Sequence, residues 1–307
     1  MEERGDDATA SRNEPACEAG SLRFERDRWS ARRGANVPAM PPDRDSGDLS
    51  TLSAWRGRAL SSVELLAEVD STNAEALRRT ERGEVADGRV LLARMQSAGH
   101  GSRGRRWESP PSCALALTAW LDWPRERPLA LATWLGIVAV VDAAATLAVR
   151  ATIKWPNDAL IGGRKVAGVL PEARHGRSIT VALGIGLNVL QREEELPHGL
   201  QATSLALAGA ATSLADAGWR LLTALDARLL QLACAPDALR DAYVEGLGLL
   251  GRRVVATLPD ERYRGRLVAL EIDGTLVVAE SDATGARPRR IAGGHVGGLR
   301  AELAGDR

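Results

Sequence analysis

Three stretches of this chain bring together residue types that can do chemistry. The densest is Gln96-Ser97-Ala98-Gly99-His100-Gly101-Ser102-Arg103-Gly104-Arg105-Arg106-Trp107. Its glycines let backbone N–H groups close on an anion. Arg103, Arg105 and Arg106 add guanidinium groups suited to phosphate or carboxylate, and Trp107 offers a flat face for a base. A solvated basic loop accounts for the same residues. The second stretch, Lys154-Trp155-Pro156-Asn157-Asp158, sets an ammonium beside a proline turn, although Pro-Asn-Asp also makes a turn unaided. The third, Gly184-Ile185-Gly186-Leu187-Asn188, suits close passage of backbone beside a ligand, and a β-bulge would use the two glycines equally well.

Lysine usage sharpens the second stretch. Of forty basic residues in 307, thirty-eight are arginine, and the only lysines are Lys154 and Lys165. A solvated turn cation could have been arginine like the rest. A compact ammonium is needed where a small developing negative charge must be met. Other machinery is missing. The four histidines (His100, His175, His198, His295) and three cysteines (Cys17, Cys113, Cys234) have neither metal-ligand nor CxxC spacing, so no metal site or disulfide framework is expected. No Ser-His-Asp arrangement is present.

These residues need elements to hold them. Residues 63–69 read as a short strand, and Asp70-Ser71-Thr72-Asn73 as its junction to a helix running toward Gly83, with Thr72 and Glu75 at capping-box spacing. A strand over 89–96, the Gly/Arg loop and an alternating strand through Leu115, Leu117, Ala119 and Leu121 follow. Because a strand rather than a helix follows the loop, a Rossmann dinucleotide site is disfavoured. The Ala-rich stretch 129–149 contains Asp142 and arginine flanks, which favours a buried helix over a membrane span. Residues 153–155 form a brief strand. The turns Gly162-Gly163 and His175-Gly176 connect strands over 165–173 and 179–183, and short connections of this kind favour an antiparallel or mixed sheet. A leucine-rich helix covers 213–234. Beyond Gly251 the pattern is β, with Asp273-Gly274 as a two-residue hairpin turn. Residues 1–57 read as a disordered tail, because only eight of the first fifty are Val, Ile, Leu, Met, Phe, Trp, Tyr or Cys. Forty acidic residues cancel forty basic ones, which argues against a dedicated nucleic-acid binder. No signal peptide opens the chain, so a soluble, cytoplasmic protein is expected.

Taken in order, D-S-T-N, Q-x-x-G-x-G-x-x-G-R-x-W, K-W-P-N-D, K-x-x-G (Lys165 to Gly168) and G-x-G-x-N resemble a biotin protein ligase, closely over Glu68 to Asn188 and loosely to Arg300. The resemblance implies an α+β fold: a catalytic domain (58–248) of mixed, largely antiparallel sheet and helices, related to class II aminoacyl-tRNA synthetases, and a small C-terminal SH3-like β-barrel (249–304). It implies that biotin reacts with Mg-ATP to give biotinyl-5′-AMP, and that a lysine of a biotin carboxyl carrier protein then takes the biotin. ATP, Mg2+ and biotin enter as substrates, with no permanently bound cofactor. Lys154, Arg103 and Arg105 would be catalytic, with Lys154 on the biotin carboxylate and the phosphate. Ser71, Thr72, Asn73, Gln96, Gly99, His100, Gly101, Ser102 and Gly168 would line the biotin pocket. Arg103, Gly104, Arg105, Trp107, Asn157, Lys165 and Asn188 would hold the adenylate, with Trp107 stacked on adenine.

Two departures stand out. The family loop usually reads G-R-G-R-x-G-R-x-W, whereas His100 and Ser102 replace the first two arginines here, which predicts weaker retention of the intermediate. His295 stands where the family commonly has an acidic residue. Some relatives also repress transcription through an N-terminal winged helix; the apolar-poor residues 1–57 predict no DNA binding. The family contains monomers and homodimers, and no long apolar edge decides between them. The rival readings are a lipoate–protein ligase, a catalytically impaired ligase homologue and a Gly/Arg-loop nucleic-acid-binding module.

Overall fold

The computed structural model describes residues 48–303 and 306, except 87, 108, 109, 111, 177, 198, 200 and 281–287. Most of the expected tail and His198 therefore lie outside the described residues.

Seven strands form the main sheet: β1 (Ser62–Leu66), β2 (Arg89–Ala93), β3 (Ala114–Trp123), β4 (Thr152–Lys154), β5 (Asp158–Ile161), β6 (Arg164–His175) and β7 (Ile179–Asn188), in the order β1-β2-β3-β7-β6-β5-β4. Only β1 and β2 are parallel, with helix α1 (Thr72–Glu81) as the crossover; the other neighbours are antiparallel. The expectation of a mixed, largely antiparallel sheet with packed helices holds. Gly162 and Gly163, both at positive φ (57° and 80°), make the two-residue turn between Ile161 and Arg164.

Both faces of this sheet are covered. On one, Ala76 of α1 packs with Leu91, Trp120 and Ala182. On the other lie the apolar helix α2 (Ala130–Ala145) and, over it, α3 (Leu214–Cys234) and α4 (Pro236–Leu247). Gly136 lets α2 settle on the strands, since a β-carbon there would sit 2.7 Å from Val169 and 3.3 Å from Leu183. Coverage on both sides buries nine of the ten residues of β3, so its expected alternation is one of residue size rather than of exposure.

Three expectations need correction. The tail stops earlier than residue 57: Leu49–Ala54 is a 3-10 helix, and Leu49, Leu52 and Trp55 are buried. Spacing of three puts those residues on one face, a signal diluted when apolar residues are counted across fifty positions. Leu52 fits against Gly218 of α3, where a β-carbon would lie 2.6 Å from its Cδ1. Asp226 of α3 then accepts the backbone N–H groups of Arg58, Ala59 and Leu60 at 3.0, 2.7 and 2.7 Å. Second, Gly184-Ile185-Gly186-Leu187-Asn188 lies inside β7, which pairs with β3 without a bulge. Third, the Asp273-Gly274 turn is longer than two residues, since Leu270 pairs with Leu276 and Glu271 N–H donates to the Thr275 carbonyl. Helix α4 carried no sequence expectation.

After α4 come β8 (Arg253–Thr257), β9 (Arg262–Leu270), β10 (Leu276–Ala279), β11 (Arg289–Ile291) and β12 (Gly298–Ala301), an antiparallel sheet in the order β11-β10-β9-β8-β12. Its apolar residues Val254, Leu267, Leu276 and Val296 belong to the same buried cluster as Ile153, Trp155 and Tyr243. Trp155 Nε1 donates to the Val296 carbonyl at 3.2 Å, and the Tyr243 hydroxyl to the Pro156 carbonyl at 2.8 Å. The Lys-Trp-Pro-Asn-Asp segment thus joins the two sheets. Among the described residues, no helix is long and apolar enough to cross a membrane.

Candidate active site

Beside the N-terminus of α1, the face of β3, β6 and β7 toward that helix carries the small residues Ala116, Thr118, Gly168, Gly184 and Gly186, while the bulky Trp120 lies farther along β3 under Ala76. The neighbours Leu115, Leu117, Val169, Ile185 and Leu187 are buried. The small residues leave a cavity beside the N-terminus of α1. It is lined by Ser71, Thr72, Asn73, Gln96, His100, Gly101, Ser102, Trp107, Asn157, Lys165, Gly168, Gly184 and Gly186, together with Ala116, Leu117, Val169, Leu170 and Ile185. Segments separated by more than a hundred residues thereby share one site.

Helix α1 begins one residue earlier than the capping box predicts. Ser71 is the N-cap, its Oγ accepting from Ala74 N–H at 3.4 Å, because Thr72 is already helical. Glu75 instead binds Arg78 and Arg79 on the helix surface. Asp70 anchors the entry to the helix: its two oxygens take Arg78 Nη1 and Nη2, each at 2.7 Å, and Oδ1 also accepts Ser71 N–H at 2.7 Å. The Arg78 guanidinium first, and the Ser71 N–H after it, hold the Asp70 carboxyl down at about 2 despite some burial.

Polar groups at the cavity wall are linked. Thr72 N–H donates to Gln96 Oε1 at 2.8 Å, and Thr118, fully buried in β3, reaches Thr72 Oγ1 at 2.8 Å and Asn73 Oδ1 at 2.6 Å. Asn73 Nδ2 donates to the Leu170 carbonyl at 3.0 Å and to Glu172 Oε2 at 2.7 Å.

The Gly/Arg loop folds back on itself as a hairpin. Gly101 N–H donates to the Arg105 carbonyl at 2.7 Å, Trp107 N–H to the Gly99 carbonyl at 2.9 Å, and Gly104 turns the chain at φ 72°. Gly99 is required for this closure, since a β-carbon there would lie 2.5 Å from the Trp107 carbonyl. The hairpin lays the Trp107 ring over β7 and β6: β-carbons at Gly186 and Gly168 would fall 2.4 and 3.6 Å from ring atoms. The buried indole Nε1 makes no hydrogen bond among the described residues. Exposed Arg105 turns toward its own loop, binding the Ser102 carbonyl and hydroxyl at 3.2 and 3.1 Å. The side chain of Arg103 lies outside the described structure.

The two lysines separate. Lys165, partly exposed, lines the cavity, pairs with Asp158 at 2.5 Å and stands 5.8 Å from the Trp107 ring centroid. Lys154 is exposed on edge strand β4, opposite Asp158 in the register, and does not line the cavity. Asn157 does line it, with Nδ2 on the Val169 carbonyl at 2.6 Å. Asn188 is buried away from it, its amide engaged by the Thr203 carbonyl and Gln191 at 2.9 Å each. Sequence reasoning missed Thr118, Glu172 and the pairing role of Asp158. A threonine within the apolar run Ala114–Leu121 was the available signal for the first.

The family model for the biotin/lipoate A/B protein ligase family matches residues 65–189, the segment that supplies every cavity residue. The biotin–[acetyl-CoA-carboxylase] ligase of Mycobacterium tuberculosis is 34% identical over 249 residues, covering 75% of this chain and 89% of that protein. The bifunctional ligase/repressor BirA of Escherichia coli is 36% identical over 140 residues, which are 44% of this chain and 42% of BirA. Among solved structures, the biotin protein ligase of Aquifex aeolicus in complex with biotin and ATP aligns with a TM-score of 0.63 at 27% identity, covering 78% of this chain and 99% of that one. The fold and the site define a cofactor-attaching ligase, and the chain belongs to the biotin/lipoate A/B protein ligase family, on its biotin protein ligase branch.

Proposed function

We infer that the chain is an ATP-dependent biotin protein ligase. Biotin's carboxylate attacks the α-phosphate of Mg-ATP, giving biotinyl-5′-AMP and pyrophosphate. The ε-amine of a lysine on a biotin carboxyl carrier protein then attacks the mixed anhydride, and AMP leaves. The observation that carries this reading is the convergence on one cavity of Ser71-Thr72-Asn73, Gln96, the Gly/Arg hairpin, Asn157, Lys165 and the β7 glycines. A carboxylate nucleophile needs no general base, and the cavity is lined mainly by hydroxyl, amide, ammonium and glycine backbone groups, with the His100 imidazole as its one histidine. What it needs is stabilisation of charge at phosphorus.

The roles of single residues are proposals. Ser71, Thr72, Asn73 and Gln96 hold the ureido ring of biotin, with Gly99, Gly101 and Gly168 allowing close approach. Lys154 and Lys165 supply ammonium groups to the carboxylate and phosphate; the cavity position of Lys165 favours it for the phosphate-facing part. Arg103 and Arg105 close over the adenylate, for which Arg105 must leave Ser102. Trp107 stacks on the adenine and offers its unpartnered N–H, while Asn157 and Asn188 brace the surrounding loops. In this reading the five-stranded C-terminal sheet is the counterpart of the family's SH3-like barrel, and the catalytic unit includes the Leu49–Ala54 helix. Transcriptional repression forms no part of this reading; zero net charge supports that, and a gel shift on DNA with biotin and ATP would overturn it.

Biotin-dependent ATP–pyrophosphate exchange tests the function directly. Wild type is expected to exchange, and Lys154→Ala to lose most of that activity. No exchange with biotin in the wild type removes the reading, and exchange supported by lipoate instead of biotin transfers it to the lipoate ligases.

A further inference from the structure

The hydrogen bonds behind the cavity have a direction, and that direction starts at Glu172. Both partners of the Asn73 NH2 group, the Leu170 carbonyl and the Glu172 carboxylate, only accept. The amide of Asn73 therefore has one orientation, with Oδ1 toward Thr118. Thr118 owns a single hydroxyl proton, and at 2.6 Å from an oxygen that cannot donate, that proton goes to Asn73. Toward Thr72, 2.8 Å away, Thr118 can then only accept, and so can Gln96 Oε1, 3.1 Å from Thr72 Oγ1; the Thr72 proton goes to one of these two protein oxygens. Gln96 is fixed independently: its Oε1 takes the Thr72 backbone N–H at 2.8 Å, so Nε2 is turned to the other side, next to Gly99. Thr72 thus offers the cavity a lone pair, and Gln96 offers it an N–H. This polarity matches a cyclic urea, which has N–H groups to give and one carbonyl to receive them.

We propose that Glu172 and Thr118 are positioning residues which, without touching the ligand, set the donor and acceptor polarity of the ureido end of the cavity. The proposal rests on the biotin reading above. Thr118 is fully buried behind the cavity wall, so water does not take the place of its hydroxyl. Thr118→Val keeps the shape and removes the proton. Asn73 Oδ1 then loses its donor and Thr72 one of its two acceptors, which leaves the Thr72 hydroxyl held only by Gln96 Oε1 at 3.1 Å. Glu172→Gln replaces an obligate acceptor by a group that can also donate, and the Asn73 amide can reverse.

Initial rates of biotin-dependent ATP–pyrophosphate exchange on the purified full chain separate the outcomes. Thr118→Val and Glu172→Gln should each raise KM for biotin about tenfold while kcat stays within about twofold, and Thr118→Ser should restore KM. A role limited to folding would lower the active fraction, hence kcat, and leave KM alone; that result overturns the proposal. So does a KM within about twofold of wild type in both variants, or a Thr118→Ser protein as defective as Thr118→Val. Glu172 is only partly buried, so Glu172→Gln keeps the test open if Thr118→Val does not fold. Absence of exchange in the wild type would instead remove the biotin reading, which is a separate failure.

Discussion

Gly186 and Trp107 claim the same space. A β-carbon at position 186 would lie 2.4 to 2.7 Å from three atoms of the indole, so Gly186→Ala must lift the ring off β7 and open the Gly/Arg hairpin. The expected result is a weaker nucleotide site: KM for ATP in the exchange assay rises by about tenfold or more, with KM for biotin changed less. His100 and Ser102 pose a different question. Ser102 holds Arg105 in the loop through its carbonyl and hydroxyl, which is a local use for a residue that departs from the family pattern. Restoring arginine at both positions should slow release of biotinyl-AMP in a quench assay, and an unchanged rate would sink the link between these residues and retention. Asp70 gives a pH prediction. Its carboxyl is held near 2, below an ordinary value of 3.8, chiefly by Arg78, so its contribution to stability is complete above that ordinary value. It is lost as pH falls from 3.8 toward 2, and the stability difference between wild type and Asp70→Asn should shrink over that window in acid titrations. At this scale the sequence displayed many of the residues that touch the cavity, since the Ser-Thr-Asn run, the loop glycines, Trp107 and Lys165 stand out by type. It hid Thr118 and Glu172, whose importance comes from strands that meet only after folding.

Elements were legible in proportion to how local their causes are. The strand before α1, the Gly162-Gly163 turn and the leucine spacing of α3 follow from neighbours in sequence, and their positions were read closely. The reach of β7 through Asn188 was not, because its glycines look like a bulge until Trp107 and Asn73 are seen to need the room. The short 3-10 helix at Leu49–Ala54 was lost for the opposite reason: Gly218, which Leu52 meets, and Asp226, which holds residues 58–60 after it, are more than 160 residues away. That helix can be tested. Leu52 is buried against α3, so Leu52→Ala should cost about 2–5 kcal/mol in denaturant unfolding. Asp226→Ala strips three backbone N–H groups of their acceptor and should cost about 3 kcal/mol. A loss under about 0.5 kcal/mol in both, the range of ordinary surface substitutions, would mean that this segment contributes nothing to the folded core.

Across the whole molecule, the two sheets share one buried cluster joined at Ile153, Trp155 and Tyr243. Tryptophan fluorescence and far-ultraviolet circular dichroism should therefore report a single, coincident unfolding transition; two separated transitions would make the C-terminal sheet an independent unit. The scarcity of lysine has a last consequence at this scale. The reaction makes an activated acyl group whose natural target is a primary amine, and an enzyme that lets it escape exposes its own exterior to labelling. Guanidinium groups stay protonated and do not attack it. Along the described chain, Lys165 is engaged by Asp158 and only Lys154 is an exposed side-chain amine. Peptide mapping after incubation with biotin and Mg-ATP, with no carrier protein added, should find side-chain labelling concentrated there: a molecule clad in arginine is a poor substrate for its own reagent.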